Sequence, residues 1–241
     1  MKRILLALAV LALAASFAGA DSLDVNATAA LNGTTNGLEV IHDNTSVAYV
    51  QDDTPNSETV YRFEFLYDPN QLGLTSSAQF RFSLFGAYAN NPRPNNPGNP
   101  CPLNPNIPVF PARVFAVFGG ANSEYPGVRM TLMTNQCGIV GTAAQYFTTG
   151  GVPDNNPRKI CGYIENSTTP AGAGEGGLAV VAVGAACPPH GDPAYSTAPA
   201  NNFEIPTQFV RLGNLAINPF NAGENGSFYV DEFASFRTMA P

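Results

Sequence analysis

Apolar and polar side chains alternate with a period of two along most of the chain, which is the pattern of half-buried β-strands. Residues 60–67 place four aromatic side chains on one face and Arg62 and Glu64 on the other, and residues 79–87 alternate in the same way. Further strands are expected at residues 38–41, 46–50, 113–118, 128–134, 144–148, 160–165, 178–183, 208–212 and 227–237.

The pattern predicts an all-β protein. No window after Ala20 shows a sustained helical repeat with capping residues. About ten short strands, rich in Val, Phe and Tyr and separated by Gly, Pro and Asn, favour a two-sheet antiparallel sandwich or jelly roll. Residues 88–111 contain eight prolines interleaved with asparagine. Because proline cannot donate to a strand ladder, this stretch predicts a long surface loop, with an interdomain linker as the alternative.

The first 20 residues have the organisation of a signal peptide. Lys2 and Arg3 precede an apolar stretch over residues 4–17, and residues 18–20 form an A-x-A cleavage site. The apolar stretch is shorter than a membrane span requires, and no later stretch is apolar enough to span a bilayer. We therefore expect cleavage after Ala20, one β-sandwich domain over residues 21–241, and a secreted or periplasmic location.

The charge balance excludes one class of partner. The 241 residues include 11 Lys and Arg against 18 Asp and Glu, which gives a formal net charge of −7. Nucleic-acid binding requires clustered basic residues, so we expect that the protein does not bind nucleic acid.

Four cysteines in an exported chain favour two disulfides. If residues 127–186 form an antiparallel meander, Cys161 lies beside Cys187, and Cys101 is left to pair with Cys137. The other two pairings stay open. The wide spacing of these cysteines argues against a metal site built from thiolates.

The C-terminal part carries a resemblance to a known family. It reads F-V-R-L-G-N-L at 209–215 and G-S-F-Y-V-D-E-F-A-S-F-R at 226–237. This resembles the closing strands of concanavalin A-like, laminin-G-like jelly rolls in exported bacterial proteins. The resemblance implies a sandwich of two antiparallel sheets. It also implies one structural calcium held by an aspartate of the last strand, which here is Asp231; a solvated or hydrogen-bonded aspartate is the alternative. The chain departs from the family in having no Trp.

The motifs of hydrolytic enzymes are missing from the sequence. No E-x-D-x-x-E strand supplies the paired carboxylates of a sandwich-fold glycosidase. His42 and His190 are the two histidines, and no G-x-S-x-G elbow accompanies them. We therefore expect no catalytic residues, no cofactor apart from the calcium, and no enzyme activity.

Sugar-binding modules use aromatic platforms, and without Trp this chain must use tyrosines. Tyr88, Tyr125 and Tyr195 are expected at loops or loop edges and are the candidate ligand-binding residues. The leading hypothesis is an exported, non-catalytic binding module for a glycan or for extracellular matrix. The alternatives are a structural or assembly subunit with a protein partner and, third, a divergent glycosidase.

Overall fold

The structure is a computed structural model, and it describes residues 22–42, 46–70, 81–89, 109–118, 126–134, 139–149, 152–154, 156–169, 172–192, 194–202, 205–215 and 226–237. These residues form strands and loops, without a helix among them. The strands are β1 Ser22–Asn26, β2 Gly37–His42, β3 Ala48–Asp52, β4 Val60–Asp68, β5 Arg81–Ala89, β6 Val109–Phe118, β7 Pro126–Met133, β8 Ile139–Gly141, β9 Gln145–Tyr146, β10 Thr148–Thr149, β11 Val152–Pro153, β12 Arg158–Glu165, β13 Glu175–Ala182, β14 Phe209–Asn214 and β15 Gly226–Phe236.

Two antiparallel sheets form the predicted sandwich. The six-stranded sheet has the order β1-β2-β15-β4-β12-β13. The seven-stranded sheet has the order β3-β14-β5-β6-β7-β8, with β9 also paired to β7. The last strand, β15, lies inside the first sheet between β2 and β4. The all-β jelly-roll sandwich expected from the alternating pattern is confirmed.

The core lies between the two sheets and is rich in aromatic rings. The alternating aromatic residues of β4 all point into it: Tyr61, Phe63, Phe65 and Tyr67 are each at most 2% exposed. The Phe63 ring stacks on Phe85 of the opposite sheet with centroids 4.1 Å apart. It lies directly over Gly162, where a Cβ atom would be 2.0 Å from the ring. The absence of a side chain at Gly162 in β12 therefore leaves the space that the Phe63 ring occupies.

Strands β5 and β6 extend further than the sequence pattern indicated. β5 continues to Ala89, and β6 begins at Val109, so the ends of the proline-rich stretch belong to the sheet. Pro111 fits within β6 because the pairing with β5 shifts register between Ala87 and Ala89, and the pairing with β7 begins only at Ala112. Proline is accepted where the ladder is interrupted in this way.

One disulfide joins Cys161 in β12 to Cys187 after β13, with Cα atoms 5.8 Å apart. The two strands pair antiparallel, as the meander argument required, and this bridge is confirmed. Cys101, Cys137 and residues 1–20 lie outside the described part of the chain. Within that part, no helix is long and apolar enough to cross a membrane.

Candidate functional site

The outward surface of the seven-stranded sheet carries three arginines. In β6, β7 and β14 the residues on either side of Arg113, Arg129 and Arg211 are buried in the core, so alternation places the arginines outside. All three are half-buried. We call this surface the arginine face; it also includes Tyr49 and Gln51 of β3 and Tyr88 of β5.

Strand register aligns two of the arginines in one row. Arg211 is paired with Gln51 on one side and with Gly86 on the other, and Gly86 is paired in turn with Arg113. Two strand spacings separate Arg211 from Arg113, which is about 10 Å between Cα atoms. The glycine between them leaves a gap in the row of side chains.

Arg211 is held in place by one hydrogen bond and by aromatic rings. Its Nε donates to Oε1 of Gln51 at 2.7 Å. Its guanidinium carbon lies 4.3 Å from the ring centroid of Tyr49 and 4.8 Å from that of Tyr88. Such contacts fix the plane of the guanidinium and leave its cationic edge available to an anion.

Tyr88 is part of the sheet and not of a loop edge. It is 2% exposed, and its ring stacks on Phe209 with centroids 4.8 Å apart. Burial raises the pKa of its hydroxyl, while the positive charges of Arg211 and Arg113 oppose that rise. The ring also lies over Gly86, where a Cβ would be 2.7 Å from it. Tyr88 therefore packs beneath the Arg211 guanidinium, and ligand binding by Tyr88 stays a prediction.

Among the described residues, the Nε donors of Arg113 and Arg129 find no hydrogen-bond partner. Both Nε atoms are buried. Arg113 stacks on Phe110, 3.1 Å from the ring centroid, and burial lowers the pKa of its guanidinium. Leaving a buried donor unsatisfied costs about 1–3 kcal/mol, and more when the group is charged.

A second cleft lies on the outward surface of the six-stranded sheet. It is a shallow cleft, open to solvent, that is lined in part by the segment following the Cys187 bridge. We call it the histidine pocket; its lining includes Arg62, Glu64, Tyr163, His190, Tyr195 and Phe236. Tyr195 is half-buried here, and its carbonyl accepts the backbone N–H of Leu178. Ligand binding by Tyr195 stays a prediction.

His190 in this pocket contacts two carboxylates. Its Nε2 lies 3.0 Å from Oε2 of Glu165 and 3.3 Å from Oε1 of Glu175. Tyr163 packs edge-on against the imidazole ring, with centroids 4.5 Å apart. The Tyr163 hydroxyl donates to Glu175 at 3.3 Å and shares a 2.6 Å hydrogen bond with Ser196. Burial raises the pKa of this hydroxyl.

Asp231 bonds to the turn that joins β1 and β2. Its carboxylate accepts hydrogen bonds from the backbone of Leu31 at 2.8 Å and from the Thr34 hydroxyl. The strand bulges immediately after it, and Glu232 has a positive φ of 49° and accepts from Asn32 of the same turn. This is the hydrogen-bonded alternative for Asp231, and calcium binding there stays a prediction. Tyr125 lies outside the described residues.

Sequence reasoning missed both clusters. It looked for paired acids and for nucleophiles, whereas the arginine face has neither: the sequences of β5, β6, β7, β8 and β14 contain no Asp or Glu. The available signal was the concentration of arginine in these strands, each arginine between apolar neighbours.

No family model matches the chain, and no curated protein matches it. Solved structures do share its fold. An endo-β-1,4-glucuronan lyase from the fungus Trichoderma reesei is 13% identical with a TM-score of 0.53, covering 90% of this chain and 87% of that one. The alginate lyase vAL-1 from Chlorella virus is 10% identical with a TM-score of 0.52, covering 88% of each chain.

This likeness establishes the fold, a jelly-roll β-sandwich. It also corrects the expectation of a non-catalytic binding module without enzyme activity, because the two structures that share the fold over 87% and 88% of their own length are a glucuronan lyase and an alginate lyase. The motifs missing from the sequence are those of hydrolases. A lyase breaks the sugar chain by elimination and does not need a hydrolase's pair of carboxylates.

Proposed function

We propose that this chain is an exported polysaccharide lyase that cleaves a uronate-containing glycan by β-elimination on the arginine face. The observation that carries the proposal is the set of three half-buried arginines on one sheet surface, two of them with a buried Nε that has no partner among the described residues. A polymer that bears one carboxylate per sugar complements the positive charge of these side chains.

The chemistry requires a cation beside the sugar carboxylate. Neutralising that carboxylate acidifies the C5–H bond; a base removes this proton, the C5 electrons form a C4=C5 double bond, and the glycosidic oxygen leaves C4 and takes a proton. Arg113, Arg129 and Arg211 are assigned to carboxylate binding. Tyr49, which is half-buried and lies against the Arg211 guanidinium, is assigned to proton transfer.

Export forms part of the proposal. The signal peptide at residues 1–20 would be removed after Ala20, and the single domain over residues 21–241 would act outside the cytoplasm, where polymeric substrates occur. The Cys161–Cys187 disulfide supports this location because such bridges persist in oxidising compartments.

The test is an elimination assay on paired polymers. The purified protein is incubated with glucuronan, alginate and polygalacturonate, and with the same polymers after chemical reduction of their carboxylates to alcohols. We expect the ultraviolet absorbance of an unsaturated uronate from at least one native polymer and from none of the reduced ones. Reducing ends formed without a double bond would indicate hydrolysis and contradict the proposal, as would the absence of cleavage of all three polymers.

A further inference from the structure

Beside the histidine pocket, two like charges lie directly opposite each other and contact its His190. Glu165 of β12 and Glu175 of β13 are cross-strand partners, and both point to the outward surface. Like charges in this position destabilise a sheet. In the part of the chain that the structure describes, both carboxylates form their ion-pair contact with the same residue, His190, which is charged only when protonated.

The possible ligand atoms of Glu165, Glu175 and His190 lie close together. The His190 Nε2 lies 3.0 Å and 3.3 Å from its two carboxylate oxygens, and all three atoms lie within 4.8 Å of one another. The Nε2 is buried, yet among the described residues it makes a hydrogen bond to neither carboxylate. Ligands bound at about 2.0–2.2 Å in a tetrahedron stand about 3.3–3.6 Å apart along its edges. The two separations from the His190 Nε2, 3.0 Å and 3.3 Å, are close to such an edge.

We propose that Glu165, Glu175 and His190 bind one divalent transition-metal ion with the preferences of zinc. An imidazole nitrogen with two carboxylates suits zinc, whereas calcium takes a shell of oxygens at longer distances. The neighbouring thiols do not compete, because Cys161 and Cys187 are joined as a disulfide. Three protein ligands leave the fourth position open to water from the pocket.

The surroundings provide a second shell of hydrogen bonds. The Tyr163 hydroxyl bonds to Glu175 and to Ser196, which orients one ligand. The segment that carries His190 is attached to the sheet on both sides of this residue. Before it, Cys187 forms the disulfide with Cys161 of β12, and after it, the Tyr195 carbonyl accepts the backbone N–H of Leu178 in β13. The metal would fasten the middle of this segment to β12 and β13.

The experiment is zinc binding by the purified protein after chelator treatment and dialysis. Titration against a chromophoric zinc indicator is expected to show one site per chain, and the loaded protein is expected to melt at a higher temperature. His190→Gln is expected to weaken binding about 100-fold, and Tyr163→Phe about 10-fold because it removes a second-shell bond. Zinc K-edge absorption of the loaded protein is expected to show an imidazole and oxygen ligands without sulfur.

His42→Gln is the matched control, since His42 is the other histidine of the chain. It is expected to bind zinc as the unaltered protein does. Circular dichroism of every variant verifies folding, and Glu165→Gln provides an independent loss of a ligand if His190→Gln fails to fold. Binding that is equally tight in His190→Gln and Glu165→Gln, or no binding at micromolar zinc, overturns the proposal.

Discussion

The strands of the two sheets differ in their balance of acidic and basic residues. The strands of the six-stranded sheet contain eight Asp and Glu against three Lys and Arg. The strands of the seven-stranded sheet contain four arginines against one aspartate. One net charge for the whole chain conceals this division, and each surface suits a ligand of opposite sign: a polyanion on the arginine face and a cation in the histidine pocket.

The most direct way to break this comparison is to remove one guanidinium from each surface. Arg113→Met on the arginine face is expected to lower the rate of uronate cleavage 10²–10³-fold, roughly the cost of removing one preorganised donor to a developing negative charge. Arg62→Met on the opposite sheet is the matched control and is expected to keep the rate. Equal losses in the two variants would show that the charge division has no functional meaning. The measurement is kcat/KM on the native polymer.

Removal of the disulfide, which lies on the six-stranded sheet, tests whether the arginine face functions independently of that sheet. Closure of a 26-residue loop contributes about 3.5 kcal/mol in the chain-entropy treatment, and Cys161→Ala with Cys187→Ala is expected to lower the free energy of unfolding by about that amount. Urea titration measures it. Cleavage by the arginine face is expected to persist below the lowered melting temperature, because the bridge lies on the other sheet. Loss of cleavage in the folded variant would contradict the independence of the two surfaces.

The pKa of the Tyr88 hydroxyl depends on the positive charge of the arginine face. Burial raises its pKa, and Arg211 opposes that rise, so Arg211→Met is expected to move the pKa of Tyr88 still higher. When folding raises the pKa of a tyrosine, the free energy of unfolding falls as the pH rises from the unfolded pKa of about 10 through the folded pKa. Because its Tyr88 pKa is higher, the variant is expected to lose more free energy of unfolding in alkali than the unaltered protein does.

The measurement for this prediction is the titration of ring-labelled tyrosine by NMR, with Arg62→Met as the control. A fall in the pKa of Tyr88 in Arg211→Met would contradict the assignment of Arg211 as its stabilising charge.

The smallest effect is expected for an exposed ion pair of the six-stranded sheet. Lys159 Nζ lies 3.8 Å from Glu64 Oε2, and both side chains are partly exposed. Lys159→Gln is expected to change the free energy of unfolding by at most about 0.5 kcal/mol. A double-mutant cycle with Glu64→Gln measures the coupling. A coupling above about 2 kcal/mol would show that charges on this sheet act as a network.

The sequence predicted what depends on local alternation. The alternation of residues 60–67 predicts a strand with its aromatic side inward, and β4 has that arrangement, because four large rings leave no other orientation that buries them. The prolines that follow Tyr88 predict a loop from this residue onwards, whereas β5 continues to Ala89. A register shift, which no residue pattern reveals, is what accommodates Pro111.

The two sites could not be predicted because both depend on pairing between distant segments. Arg211 meets Arg113 across Gly86 only when β14 lies beside β5, and more than 90 residues of chain separate the two arginines. Glu165 and Glu175 face each other only through the register of β12 with β13, and His190 joins them from a later segment. Alternation told which side of each strand is polar, but strand order decides which polar residues become neighbours.

The position of β15 has a consequence for when the chain can fold. This strand lies between β2 and β4, so the six-stranded sheet is divided into two parts until residues 226–236 are available. The aromatic rings of β4 then lack the cover of Phe228 and Val230 from the neighbouring strand. A chain emerging from the ribosome therefore stays without a complete core until residues 226–236 have been synthesised and enter the sheet between β2 and β4.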